Sequence, residues 1–225
     1  MVAILEKLSE QPALVRPIKY DEMSDADLVF ACQQRDTKAF EYLLKRHERS
    51  VYAILHHLAP EWSDTSDLAQ EVFLRVWRSI GSLRKREAFK TWLYQIVTNL
   101  FYDELRERRK FGAVSLDEPV RTDREGEFTA AQIADTAASP DEVVERRELE
   151  VAIKAAMNDL PQEFRIMILL REMEGFSYNE IARLTGTELG TVKSRISRAR
   201  QKMHEKLLPF LDSYPDAYSP QRRSA

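Results

Sequence analysis

The chain is predicted to be all-α, and three observations predict it. Glycine and proline are scarce, at six and nine of 225 residues, so few turns exist for hairpins and strands. Apolar residues recur at helical spacing through most of the sequence. The hydrophobic share, 44%, is enough to bury a core in each of two small domains.

Residues 1–23 show weak periodicity and contain Pro12 and Pro17, which reads as a flexible leader. Ser24 then has the character of a helix N-cap, with Asp25 and Asp27 where negative charge suits the helix dipole. Helical pattern runs on from there to 111. It breaks near Arg35-Asp36, at Ala59 to Ser66 and at Gly81 to Arg86, giving four helices and one bundle domain. From 112 to 140 the chain is rich in Ala, Thr, Asp and Glu without a sustained apolar face, which marks a flexible linker. A second helical domain spans 141–210, and 211–225, with Pro215 and Pro220, reads as a flexible tail.

Net charge is −3, but its distribution matters more than its sum. Arg84 to Lys110 carries eight Lys or Arg against four acids, and Thr191 to Lys206 carries six against one. Between them, Gly112 to Glu142 holds eight acids against two arginines. The layout suits two nucleic-acid-contacting modules joined by a tether that avoids nucleic acid. Extended at about 3.3 Å per residue, that tether spans up to roughly 90 Å, more than two turns of duplex at about 35 Å each.

The sharpest local signal is Ser177-Tyr-Asn-Glu180, a capping box that opens a short amphipathic helix ending at Leu184. The turn Thr185-Gly-Thr-Glu188 follows, and then a longer helix with Leu189, Val192, Ile196, Ala199 and Met203 on one stripe. At 100° per residue the opposite side carries Ser194, Ser197, Arg198 and Gln201, with Lys193 and Arg195 on its shoulders. That is a helix-turn-helix whose second helix fits the major groove, where Arg bonds guanine and Gln bonds adenine.

In the first domain, the helix from Thr91 places Leu93, Ile96, Val97 and Leu100 inward. Its other face carries Trp92, Gln95, Asn99, Tyr102 and Arg106, a mixture suited to stacking and hydrogen-bonding unpaired bases. An earlier helix from Asp67 to Trp77 buries Leu68, Val72 and Val76 and turns Asp67, Gln70, Glu71, Leu74, Arg75 and Arg78 outward.

Other chemistries find little support. His47, His56, His57 and His204 have no HExxH spacing, and no Walker-type loop exists, so no enzyme, cofactor or metal is expected. Cys32 is the only cysteine, so neither an intramolecular disulfide nor a cysteine zinc site is available. No apolar run approaches the roughly 20 residues of a membrane span, and no signal-peptide pattern opens the chain. A cytoplasmic protein is expected.

Three stretches together resemble one family: Asp67-Leu-Ala-Gln-Glu-Val-Phe73, Phe89-Lys-Thr-Trp-Leu-Tyr-Gln-Ile96, and Leu160-Pro-Gln-Glu-Phe-Arg165 through Gly190 to Arg200. They are similar to regions 2 and 4 of extracytoplasmic-function sigma factors, in order and spacing, over about Ser24 to Leu208. The resemblance implies that Asp67, Gln70 and Glu71 bind the clamp coiled coil of the largest subunit of core RNA polymerase, and that the second domain sits on the flap of the other large subunit. It further implies that the loop Leu83 to Phe89, including Arg84, forms with Ile96, Val97 and Asn99 a pocket for a flipped base of the promoter minus-10 element. Trp92 then stands near the point of strand separation. Lys193, Ser194, Ser197 and Arg198 match positions that read the minus-35 element, and an anti-sigma factor is an expected partner. Ser197 is small, and the loop Arg84-Lys-Arg-Glu87 basic, where relatives differ. The competing reading is a one-component regulator that binds an operator without polymerase.

Overall fold

The computed structural model describes residues 19–112 and 140–213, the side chains of 111–112, 140–145 and 212–213 excepted. The greater part of the expected leader, linker and tail lies outside them. Eight α-helices and no strand occur among the described residues: α1 Asp25–Gln33, α2 Thr37–Leu58, α3 Thr65–Ser79, α4 Phe89–Gly112, α5 Pro140–Asn158, α6 Gln162–Glu172, α7 Tyr178–Thr185 and α8 Leu189–Ser213.

Local chemistry explains several helix ends. The Ser24 hydroxyl accepts the Asp27 N–H at 3.2 Å and starts α1. Arg35, at φ 70°, turns the chain in the left-handed region, and the Asp36 carboxylate accepts the Ala39 N–H at 3.1 Å to start α2. Short 3-10 turns at Ile80–Ser82 and Arg86–Ala88 carry the chain from α3 to α4. Another, Tyr20–Glu22, shows that the end of the expected leader is ordered: the Tyr20 hydroxyl donates to Asp36 at 2.8 Å, and its ring stacks on Tyr42.

The first four helices bury Leu28, Leu43, Val51, Leu55, Val72, Leu93 and Phe101 in one core, and α5 to α8 bury Ile166, Met167, Leu170, Ile181, Val192 and Ile196 in another. The two cores touch, because α4 packs on α7 and α2 packs on α5 and α6. The Tyr94 and Phe176 rings meet edge to face, with centroids 5.2 Å apart. Arg165, only 6% exposed, donates from Nη1 to the Leu58 carbonyl at the end of α2, and from Nη2 to the carbonyls of Asn158 and Leu160. One buried cation therefore serves carbonyls at the C-terminal ends of helices from both domains, where the helix dipole favours positive charge.

Candidate nucleic-acid interface

The second domain presents its outward helix through a closely defined turn. Ser177 and Glu180 form both arms of the capping box, at 3.3 Å and 2.9 Å, and these bonds hold the Glu180 carboxyl below its ordinary pKa. Gly186 closes α7 at φ 60°, a conformation open to glycine at no steric cost. Val192, Ile196 and Ala199 are fully buried, which fixes the rotation of α8. Lys193, Ser194, Ser197, Arg198 and Gln201 are exposed on its far side. Gln201 donates to Glu205 at 2.9 Å, and Ser194 donates to the Thr191 carbonyl at 3.0 Å.

Arg195 lies on the shoulder of that face. It is half-buried, and its guanidinium lies 3.5 Å from the Glu163 carboxylate. Together with Glu163, Thr185 and Thr187 from the second domain, and Asn99, Tyr102, Arg106 and Arg109 from α4, it lines a cleft of about 660 Å³. Burial raises the Tyr102 pKa; the Glu163 carboxylate adds to the rise and Arg195 opposes it.

On α4 the expected base-contacting residues divide by burial. Phe89 and Val97 are 2% and 0% exposed, so they underlie the surface and have no face free for a base as they stand. Trp92 and Ile96 are half-buried, and Asn99 is exposed. Ile96 and Asn99 meet Arg75, Arg78 and Ser79 of α3 around a cavity of about 320 Å³. The two arginines, exposed on α3, join this group only through tertiary packing.

Leu83 and Arg84 sit on the loop before α4. The Gln33 amide pins that loop by donating to the carbonyls of Ile80 and Leu83 at 3.2 Å and 2.9 Å, while Arg86 donates to the Gln33 oxygen and lies over the Phe30 ring. Arg84 itself is exposed. Phe89 and Ile96 are seven residues apart, about 10 Å along a helix at 1.5 Å per residue. The loop and the cavity therefore lie about two helical turns apart along α4.

The outward face of α4 is not open along its whole length. Gln95 donates to the Leu184 carbonyl at 3.3 Å and to Asn99 at 2.9 Å, and buried Thr98 donates to the same Leu184 carbonyl at 3.1 Å. Lys90 reaches the Glu174 carbonyl at 2.8 Å and its carboxylate at 3.1 Å. Thr98, Lys90, Glu174 and Arg165 carry the contact between domains, and none stood out in the sequence as a functional residue. The one available signal was Arg165, a cation at the head of the apolar run Ile166 to Leu170.

A third surface lies on α3. Asp67 and Gln70 are exposed, Glu71 is half-buried and accepts from Arg75 at 2.9 Å, and Leu74 stands 47% exposed one turn further on. Among the described residues no cluster of His, Cys, Asp and Glu is arranged to hold a metal ion, and no helix is long and apolar enough to cross a membrane.

Comparison with known proteins adds the following. The family model for Sigma-70 region 2 matches residues 43–111, and that for Sigma-70, region 4 matches residues 150–203. The chain is 32% identical over 187 residues to the RNA polymerase sigma-H factor of Pseudomonas aeruginosa, covering 83% of this chain and 95% of the relative. It is 30% identical over 191 residues to the ECF RNA polymerase sigma-E factor of Escherichia coli, covering 85% of this chain and 98% of that one. A solved structure of the sigma factor RpoE in complex with the anti-sigma factor NepR from Bartonella quintana superimposes with a TM-score of 0.57 at 26% identity, over 76% of this chain and 97% of the other.

Proposed function

We propose a division of labour among the surfaces of this chain, which belongs to the extracytoplasmic-function sigma factors of the sigma-70 family and is an RNA polymerase sigma factor. It acts by binding, in the cytoplasm, and directs core polymerase to promoters. Asp67, Gln70 and Glu71, with exposed Leu74 beside them, engage the clamp coiled coil of the largest subunit, and the second domain engages the flap. An apolar side chain ringed by charged ones suits a helix-on-helix contact, in which the leucine contributes burial and the charges fix register.

α8 then enters the major groove of the minus-35 element. Arg198 and Gln201 offer bidentate hydrogen bonds to base edges, each contributing about 1–3 kcal/mol of discrimination. Ser194 and Ser197 make single contacts. Lys193 and Arg195 hold phosphates and fix register without carrying sequence information.

Downstream, the surface from Leu83 and Arg84 through Trp92 to Ile96 and Asn99 takes the minus-10 element as unpaired DNA. Trp92 stands at the edge of the duplex, and the cavity beside Ile96 and Asn99 receives a base, with Arg75 and Arg78 neutralising its phosphates. Phe89 and Val97 form the floor beneath. Stacking a base on an aromatic ring yields about 1–3 kcal/mol, comparable with the roughly 1.4 kcal/mol that holds one average step of duplex DNA. A single captured base therefore offsets about one step of melting, and opening a longer bubble requires the polymerase as well. An anti-sigma factor that covers the polymerase-binding surfaces is the expected regulator.

The exposed basic and amide-bearing face of α8, held out by a capped helix and a glycine turn, is the observation that carries this reading. Its test is transcription by core polymerase from a cognate promoter with and without the chain. Stimulation that depends on both promoter elements supports the reading, and no stimulation on any cognate promoter sinks it. An operator-binding regulator would use α8 equally well, but it leaves the α4 surface without a role and predicts tight specific binding by the chain alone.

A further inference from the structure

We propose that Gln33, the last residue of α1, is a positioning residue for recognition of the minus-10 element: its side-chain amide holds the loop Leu83 to Phe89 on both sides of Arg84 and Lys85 and thereby sets which bases that loop prefers. The inference rests on the reading of this loop as a base-contacting segment. α1 lies wholly before residue 43, where the match to Sigma-70 region 2 begins, so the family match does not include Gln33.

The amide finds all its partners 47 to 53 positions away along the chain. Its nitrogen donates to the carbonyls of Ile80 at 3.2 Å and Leu83 at 2.9 Å, and its oxygen accepts from Arg86 Nε at 3.1 Å. Turned over, it would set an oxygen against two carbonyls and an N–H group against a cation, so one orientation alone is satisfied. The Leu83 carbonyl belongs to the planar unit that leads into Arg84. Holding that carbonyl fixes the direction in which the chain enters Arg84. On the other side, Arg86 is half-buried between the Gln33 oxygen and the Phe30 ring, whose centroid lies 4.3 Å away. Phe30 precedes Gln33 by three residues and shares its face of α1. Between the two anchors, Arg84 and Lys85 stand exposed.

The helix that carries this amide is itself fixed. Leu28, Val29 and Cys32 are buried in the core, and α1 packs on both 3-10 turns that flank the exposed pair. In the first turn of α1, the Asp25 carboxylate accepts from Arg46 at 2.6 Å and pairs with His47 Nε2 at 2.7 Å. The His47 ring packs on Phe89, the residue that ends the loop and begins α4, with centroids 5.3 Å apart. α1 therefore holds the start of the loop directly and its end by way of His47. A recognition group backed by such a layer of bonds on a helix keeps its geometry more closely than one on a free loop. Without the amide, the Leu83 carbonyl turns to water, Arg86 is released, and Arg84 and Lys85 sample more directions. Discrimination is a difference between the right base and the wrong one, and that averaging erodes it. The Ile80 carbonyl still accepts the Leu83 N–H at 3.2 Å, so the turn, and the domain with it, survives the loss.

The test measures transcription by core polymerase, supplied with the full chain, from a cognate promoter and from its single-base variants in the minus-10 and minus-35 elements. Gln33→Glu has the same shape, keeps an acceptor for Arg86 and loses both bonds to carbonyls. Gln33→Met keeps the length and loses all three bonds. In both, the largest ratio between preferred and alternative bases within the minus-10 element should fall by about fivefold or more, the lower end of what one well-placed base contact contributes. Minus-35 ratios should stay at the parent's values, as should affinity for core polymerase, read by competition with the parent chain. Circular dichroism checks folding, and Gln33→Glu decides if Gln33→Met does not fold. A side chain that only stabilises the first domain would lower output from every promoter together and leave the ratios unmoved. That pattern, or the parent's minus-10 preference in folded Gln33→Glu, overturns the proposal. Failure of the underlying reading is seen separately, in Leu83→Ala and Arg84→Ala. If both keep the parent's minus-10 preference, the loop reads no base and the role of Gln33 falls with it; if they shift the preference and Gln33→Glu does not, Gln33 alone is excluded.

Discussion

Arg165→Ala should lower stability by about 3–5 kcal/mol, the range for stripping one partner from a buried charged contact. The guanidinium makes three bonds to carbonyls, at 2.9 Å to Leu58, 2.5 Å to Asn158 and 3.1 Å to Leu160. Hydrogen bonds to a charged group contribute about 1.5–3 kcal/mol each, so three would sum to about 4.5–9 kcal/mol. Two effects reduce that sum. The cation is itself desolvated by burial, which lowers its pKa, and its Nε has no partner. Water entering the vacated space also satisfies some of the carbonyls. Arg165→Lys keeps the charge and part of the bonding, so about half the loss is expected.

Urea titration of the full chain measures this, with two signals that separate the domains. Trp62, Trp77 and Trp92 are the only tryptophans and all lie in the first domain, so fluorescence follows that domain while far-ultraviolet circular dichroism follows both. The two transitions should coincide in the parent chain. In Arg165→Ala the dichroism transition should move to lower urea than the fluorescence transition, because two of the three bonds lie within the second domain and the third ties it to α2. A loss below about 1 kcal/mol with coincident transitions would refute the assignment of Arg165 as a structural cation.

Arg198→Ala should cost about 1–3 kcal/mol of discrimination at one minus-35 base pair with folding intact, measured as the ratio of transcription from parent and mutated promoters. Gly186→Ala should destabilise by about 1 kcal/mol through backbone strain alone, since φ is 60° and an added Cβ meets nothing within 4 Å; the urea midpoint reads it. His56 and His57 lie at the end of α2, where burial lowers both pKa values; Lys154 lowers both further, and His56 also lowers that of His57. The folded state binds these protons less readily than the unfolded chain, whose histidines titrate near pH 6.5. Their contribution is therefore complete above that pH and is lost as pH falls through the lower folded values. Replacing both with Gln should flatten the fall in stability between about pH 7 and 5 in urea titrations.

The helical architecture and the exposed face of α8 were legible because they rest on local rules. Ser24 and Ser177 announce helix starts through side-chain bonds three residues long, and the stripe Val192, Ile196, Ala199 sets the rotation of α8, and with it the exposure of Lys193, Ser197 and Arg198. The α4 surface was less legible. Periodicity put Trp92, Gln95, Asn99, Tyr102 and Arg106 on one outward face, yet periodicity does not say whether an outward face meets water or another domain. Phe89 and Val97 are buried for the related reason that both lie on the core side of α4, where packing leaves no surface for a ligand.

By itself the sequence determined the elements, their caps, the two basic modules and the motifs of the family, since each depends on residues within a few turns of one another. Only the tertiary structure decided that Arg165 spans 107 positions to reach Leu58, that Lys90 and Thr98 reach Glu174 and Leu184 across more than 80, and that Arg195 meets Glu163. Contacts so distant along the chain leave no periodic trace, because their partners are fixed by how two finished surfaces fit and by the need of buried carbonyls and charges for a partner.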